Sequence, residues 1–167
     1  VARGLGYGDE PAHLAVERLL SDYYRHASAV LRFARYYLET GSRGDRFFSK
    51  VRHRFFSSKV DSFLSLLDRR LYLAAEPEGE PDRLAERIVS IFTIAQARGA
   101  DPSESLAGWI RRKIGEVPMD FAHSPGVQRA LLCILRSGAG AGRILTGLHE
   151  TGLPGRILPE FGKLTCL

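Results

Sequence analysis

Two stretches of the chain concentrate the residue types that grip charged ligands. Arg46-Phe47-Phe48-Ser49-Lys50 is echoed by Arg54-Phe55-Phe56-Ser57-Ser58-Lys59, a near-repeat of cations and rings. Such alternation can hold phosphates while aromatic faces stack on bases. The plainer reading is a connection whose phenylalanines pack on neighbouring helices and whose charges stay solvated. Tyr23-Tyr24-Arg25-His26 has the same double character. Its rings suit a core, while Arg25 and His26 suit a cleft shared with another domain. Other candidates do not assemble. His13, His26, His53, His123 and His149 are scattered without a ligand partner at helical spacing, so no metal centre is expected within the chain. Gly138-Ala139-Gly140-Ala141-Gly142 invites a phosphate-cradle reading, since helix N-termini bind anions. It lacks the Lys-Ser/Thr of a P-loop and follows a helix, so it reads as an interhelical linker. Gly41-Ser42 with Asp45 has no Asp-x-Asp pair downstream to hold a catalytic magnesium, and is rejected.

The elements that position these residues are mostly helical. Asp9 is a plausible N-cap ahead of Pro11, and proline is tolerated in a first turn. Val16, Leu20, Tyr23, Ala27, Val30, Ala34 and Tyr37 recur every three or four residues, which predicts a long helix to about Glu39 with this stripe on the core. Arg18, Asp22, Arg25, Arg32 and Arg35 fall off the stripe, toward water or a partner. Val60 to Ala75 reads either as a helix or as two strands about Asp68-Arg69-Arg70. A second helix carries Leu84, Ile88, Ile91, Phe92 and Ala95 and ends at Gly99. Asp101-Pro102-Ser103-Glu104 starts a third, bearing Leu106, Trp109 or Ile110, and Ile114. Ser124-Pro125 starts a fourth through Val127, Ala130, Leu131, Ile134 and Leu135, with Ser as N-cap and Pro at the first position. Arg143 to Thr151 closes the set. The expected fold is mainly α, a bundle of five or six helices, with room for one small β-hairpin near residues 60–75.

At 167 residues, 44% hydrophobic and 26% charged, the chain is long enough for one domain with a real core. No apolar run approaches the roughly 20 residues that span a bilayer, so no membrane partner is expected. Cys133 and Cys166 are too few for a disulfide framework and fit a reducing, cytoplasmic setting. Cys133, in an apolar helix, is expected in the core. The net charge of +5, concentrated in Arg43 to Lys59, leaves an acidic partner open. The apolar ending Leu164-Thr165-Cys166-Leu167 suggests a piece of something longer.

Ala15-Val16-Glu17-Arg18-Leu19-Leu20-Ser21-Asp22-Tyr23-Tyr24-Arg25-His26-Ala27 resembles the first helix of the central domain of bacterial PII uridylyltransferase/uridylyl-removing enzymes. Leu131–Leu135, followed by Leu145-Thr146-Gly147-Leu148-His149-Glu150-Thr151-Gly152-Leu153-Pro154-Gly155-Arg156-Ile157-Leu158-Pro159-Glu160-Phe161-Gly162, is similar to the segment just before that family's metal-dependent HD domain. The order and separation of the two blocks also fit, and Arg43 to Lys59 stands out as an insertion. The resemblance implies a nucleotidyltransferase domain before this one, an HD domain after it, and two ACT domains beyond. It implies magnesium-dependent transfer of UMP from UTP to a tyrosine of the PII signal protein, reversed by hydrolysis. It also favours the hairpin for Val60–Ala75.

No catalytic residue carries over, because no position here matches the family's catalytic motifs. The single helical domain 1–167 is then expected to hold no cofactor of its own, the magnesium belonging to the parent enzyme. Its partners would be the nucleotidyltransferase and HD domains of the same chain, the PII protein and UTP. Arg25, His26 and Arg32 are the candidates for nucleotide or partner contact. The competing expectation is an independent basic module that binds RNA or an acidic protein through Arg46–Lys59, with nucleic acid disfavoured because no nucleic-acid fold accompanies it.

Overall fold

Six α-helices and a four-stranded sheet account for most of what the computed structural model describes, which is residues 1–10, 13–40, 57–77, 81–118 and 120–157. In chain order they are α1 (Ala15–Thr40), β1 (Ser58–Lys59), β2 (Leu64–Leu67), β3 (Arg70–Leu73), α2 (Pro81–Ala97), β4 (Asp101–Pro102), α3 (Glu104–Lys113), α4 (Pro125–Arg136), α5 (Ala141–Glu150) and α6 (Leu153–Ile157). The mainly helical class and the small β element are those expected from the sequence.

The ambiguous stretch is a hairpin. β2 and β3 pair antiparallel, with Leu64 opposite Leu73 and Leu66 opposite Leu71. Asp68 and Arg69 between them have φ of 50° and 59°. A tight hairpin turn asks for this pair of positive φ values, and it costs residues with a Cβ some strain. Arg69 is held there from two sides. Its guanidinium donates to the Gly99 carbonyl at 3.0 and 3.1 Å, and its own carbonyl accepts from the Asp101 N–H at 3.0 Å. Two additions were not read from the sequence. β1 extends the hairpin antiparallel to β2, and β4 joins β3 in parallel. Each contributes only two residues, too short to show a period.

The core is organised around α2. Ala85, Ile88, Val89, Ile91, Phe92 and Ala95 are all essentially inaccessible to solvent. Leu64 and Leu71 of the hairpin, Leu106, Trp109 and Ile110 of α3, Val127 and Ile134 of α4, and Ile144 and Leu148 of α5 join them in one cluster. The choice between Trp109 and Ile110 resolves as both. α3 begins within the expected segment, capped by Ser103, whose hydroxyl accepts from the Leu106 N–H at 3.2 Å. The glycine run before α5 is a turn with Gly138 and Gly140 at positive φ, so glycine serves the backbone there.

Three expectations need correction. Ser124 does precede α4 with Pro125 at its start, but its hydroxyl donates to Glu86 Oε1 at 2.7 Å and caps nothing. Cys133 is exposed, because α4 turns only its Val127–Ile134 side inward. Leu135 likewise faces solvent.

The largest correction concerns α1. Its expected core stripe points outward: Val16, Leu20, Tyr23, Val30 and Tyr37 are between 41% and 69% exposed. No described α1 side chain joins the core cluster.

Candidate functional site

The orientation of α1 follows from its polar side, which is partnered along its length. At the N-terminal end, the Leu14 N–H donates to Glu17 Oε2 and the Ala15 N–H to Asp9 Oδ1, both at 2.8 Å, satisfying donors that a helix start leaves unpaired. Asp9 therefore serves the helix from six residues upstream. The Ala15 N–H, helped by Arg3, holds its carboxyl below the usual range. Arg18 pairs with Glu10 at 2.7 Å, and the Tyr7 hydroxyl donates to Asp22 at 3.0 Å. That bond to an acceptor carboxylate holds the Tyr7 phenol above its ordinary value. The first ten residues thus lie against the polar side of the first turns.

The C-terminal half of α1 meets the body of the fold across a cleft of about 440 Å³, lined among others by Arg35, Glu39, Arg70, Asp101, Glu104, Arg143 and Glu150. Arg35 Nη1 reaches both Glu150 oxygens at 3.1 Å. Glu39 is the focal residue, with a side chain only 10% exposed. One of its oxygens pairs with Arg70 of β3. The other accepts the Glu104 N–H at 2.7 Å, at the first turn of α3. Burial pushes the Glu39 carboxyl up from the ordinary range. The Glu104 N–H and Arg70 oppose this, and the nearby Glu104 charge adds to it. Arg111 pairs with Glu104, and Arg143 bridges Asp101 and the Ala100 carbonyl. Every charged group in the cleft is thus committed to another, and the arrangement clasps α1 to β3, α3 and α5.

A second, shallower depression of about 250 Å³ lies between α1 and α3. Arg32, Arg111 and Arg112 surround it with Phe33, Tyr36 and Glu104. Gly108 forms part of its wall, and a Cβ there would lie 3.6 and 3.7 Å from the guanidinium nitrogens of Arg112 and Arg111. Three guanidiniums beside a single carboxylate favour an anionic or acidic contact. Arg111 and Arg112 were not singled out in the sequence, since a last helical turn rich in cations reads as helix-dipole compensation.

The three candidates taken from the sequence do not form one site. Arg25 and Arg32 lie seven residues apart on the same side of α1, and Arg25 is paired with Asp22 one turn away. Arg32 alone reaches the depression. His26 is exposed and lies roughly 100° round the helix from Arg25, beside the apolar stripe. Of the near-repeat, 46–56 lies outside the described residues, and only Ser57–Lys59 is seen, with Ser58–Lys59 forming the exposed β1. Cys166 and the Pro-Glu-Phe corner after α6 also lie outside them. Among the described residues no group of three His, Cys, Asp or Glu could hold a metal ion. No described helix is long and apolar enough to cross a membrane.

The bifunctional uridylyltransferase/uridylyl-removing enzyme of Caulobacter vibrioides is 27% identical over 173 residues, which cover 98% of this chain and 18% of that enzyme. The enzymes of the same name from Thiobacillus denitrificans and Xanthomonas campestris pv. campestris are 27% and 25% identical, covering 98% and 99% of the chain. No protein-family profile matches, and no solved structure does. The chain is thus similar, over nearly its whole length, to one stretch of bifunctional uridylyltransferase/uridylyl-removing enzymes, and spans less than a fifth of the relatives it matches.

Proposed function

We propose that this chain is the helical domain of a uridylyltransferase/uridylyl-removing enzyme, lying beside the nucleotidyltransferase site and joining it to the HD domain. The observation that carries the reading is the match of nearly the whole chain to less than a fifth of much longer enzymes. Two features of the fold support it. The titratable groups of the main cleft are spent on each other, which suits a rigid spacer better than a reaction centre. The long first helix also offers two usable surfaces, an arginine-lined polar side and an exposed apolar one.

In this reading the enzyme transfers UMP from UTP to the PII signal protein and removes it again. The helical domain contributes positioning and charge. Arg32, with Arg111 and Arg112, forms the basic wall toward a nucleotide phosphate or the acidic face of a partner. Arg25 continues that wall two turns earlier, and His26 serves as a partner contact beside the apolar stripe. The magnesium implied for the parent enzyme finds no holder among the described residues. The carboxylates Glu39, Asp101, Glu104 and Glu150 are already bound to arginines or a helix N–H. No step through the metal is assigned to this chain.

The test is direct. The purified 167-residue chain should neither transfer UMP to a PII protein nor remove it, whereas the native polypeptide that carries it should do both. Turnover by the isolated chain would refute the reading. So would a native polypeptide inactive in both directions with an authentic PII partner. Within the active polypeptide, Arg32→Ala and Arg112→Ala should weaken the dependence of transfer on UTP or PII by several-fold. Unchanged kinetics would remove the basic wall from the proposal.

A further inference from the structure

The stripe on α1 follows a strict heptad: Val16, Leu20, Tyr23, Ala27, Val30, Ala34 and Tyr37 are spaced four, three, four, three, four and three residues apart. Glu17, Leu19, Tyr24, His26, Leu31, Phe33, Leu38 and Thr40 flank it. On this face Phe33 is 70% exposed, Leu38 79% and Val30 69%. A soluble monomer rarely leaves so long an apolar surface open, since its largest patch is usually a few hundred Å². The opposite side of the helix is already occupied by the first ten residues and the ion-pair clasp. The fold therefore holds α1 in place while presenting its apolar face outward.

Sequence around the stripe discriminates between occupants. A two-stranded coiled coil of identical helices, exposed to water, carries charged residues on the positions flanking its seam, and these choose partner and direction. Here those positions hold leucine, tyrosine, phenylalanine, one histidine and one threonine, and the single fixed charge, Glu17, sits in the first turn and accepts the Leu14 N–H. That makes the apolar face broad, as in a helix buried within a larger body. Ala27 and Ala34, seven residues apart in the seam, leave room for a neighbouring backbone to approach closely. The chain also amounts to only 18% of a matched relative's length, so most of such a polypeptide lies elsewhere.

We infer that the apolar face of α1 is an interdomain interface, seated against an uncharged, apolar face of another domain in the same polypeptide, with Val30 near its centre. The inference rests on the proposed membership of a longer enzyme, but not on that enzyme's activity. It assigns the two sides of α1 different tasks: the polar side fixes the helix to this domain, and the apolar side joins the next.

Hydroxyl-radical footprinting of the native polypeptide and of the 167-residue chain, both at sub-micromolar concentration, tests it. Oxidation of Tyr23, Val30, Leu31 and Phe33 should fall several-fold in the native polypeptide relative to the short chain, while exposed Leu132 of α4 is labelled similarly in both. Val30→Asp in the native polypeptide should restore labelling along the face and expose α1 flanks to protease, and Ser28→Ala should not. Equal labelling of the face in both proteins would overturn the inference. Protection of the native polypeptide that appears only as its concentration rises, with a doubled mass, would assign the face to a second copy and overturn it too. Activity separates the two proposals. An active polypeptide with an open face refutes only the interface, and a protected face in a polypeptide without uridylyl chemistry refutes only the function.

Discussion

Glu39 shows how one side chain can set the position of a helix and make that position depend on pH. In an unfolded chain its carboxyl titrates near 4.5, and in the fold burial raises that value. The folded state therefore binds the proton more tightly. Its contribution to stability is fully present below 4.5 and is lost as pH rises through the raised value. Asp9 has the opposite sign: its lowered carboxyl stabilises above 3.8, and that contribution is lost as pH falls through the lowered value. Glu39→Gln keeps an acceptor for the Glu104 N–H and discards the titration. Melting temperature measured against pH should then lose the part of its decline that lies just above 4.5, with the more acidic limb retained. At neutral pH the variant should cost no more than about 1 kcal/mol, because Arg70 is nearly half exposed and an exposed pair contributes little. An unchanged slope would show that Glu39 does not couple folding to pH. A second residue-scale expectation concerns Cys133. Exposed on α4, it should react with a thiol reagent in the folded chain without prior unfolding, which mass spectrometry can follow. The sequence hid this, since Leu131, Leu132, Ile134 and Leu135 around it look like core on every side.

At the scale of elements, most of the fold was legible where a period or a punctuating residue was present. α2 could be read from Leu84, Ile88, Ile91, Phe92 and Ala95, and its burial matches the pattern. The hairpin was readable as a possibility, because Asp68-Arg69 separates two apolar runs, although neither residue is the glycine that such a turn prefers. β1 and β4 were invisible, as two-residue strands depend on neighbours and not on their own pattern. α1 is the instructive failure. Its period was read correctly, but a period names an apolar face without naming what covers it. The candidate residues failed for a related reason: Arg25 and Arg32 share a side, yet their usefulness depends on Arg111 and Arg112, about 80 residues away in sequence. A paired measurement makes the difference between the helices concrete. Ile88→Ala should destabilise the 167-residue chain by about 2–5 kcal/mol, since it empties a fully buried site. Val30→Ala should cost within about 0.5 kcal/mol apart from helix propensity, because the side chain faces solvent. Chemical denaturation of both variants checks this, and a large loss from Val30→Ala would mean that the stripe is buried after all.

For the whole molecule, the division between apolar core and polar clasp implies unequal stability. Among the described residues, the core cluster draws on the hairpin, α2, α3, α4 and α5, and on residues between and after them, without any side chain from α1. α1 is held by Arg35–Glu150, Glu39–Arg70 and the contact of Glu39 with the start of α3. Partly exposed ion pairs contribute modestly and are screened by salt over a Debye length of about 8 Å at physiological ionic strength. Hydrophobic burial has no such dependence at moderate salt. Amide hydrogens in the C-terminal half of α1 should therefore exchange faster than those of α2 in the isolated chain. Raising salt from about 0.05 to 0.5 M should speed the α1 exchange while leaving α2 protection nearly constant. Arg35→Ala should reproduce part of the salt effect at low ionic strength and blunt its further increase. Hydrogen exchange resolved by peptide measures both helices in one experiment. If α1 and α2 exchange together at every salt concentration, the helix belongs to the same cooperative unit as the core, and the clasp contributes no separate hinge. If they separate as expected, the polar side of α1 is the weaker of its two attachments, and the partner on its apolar side decides how firmly the helix is held.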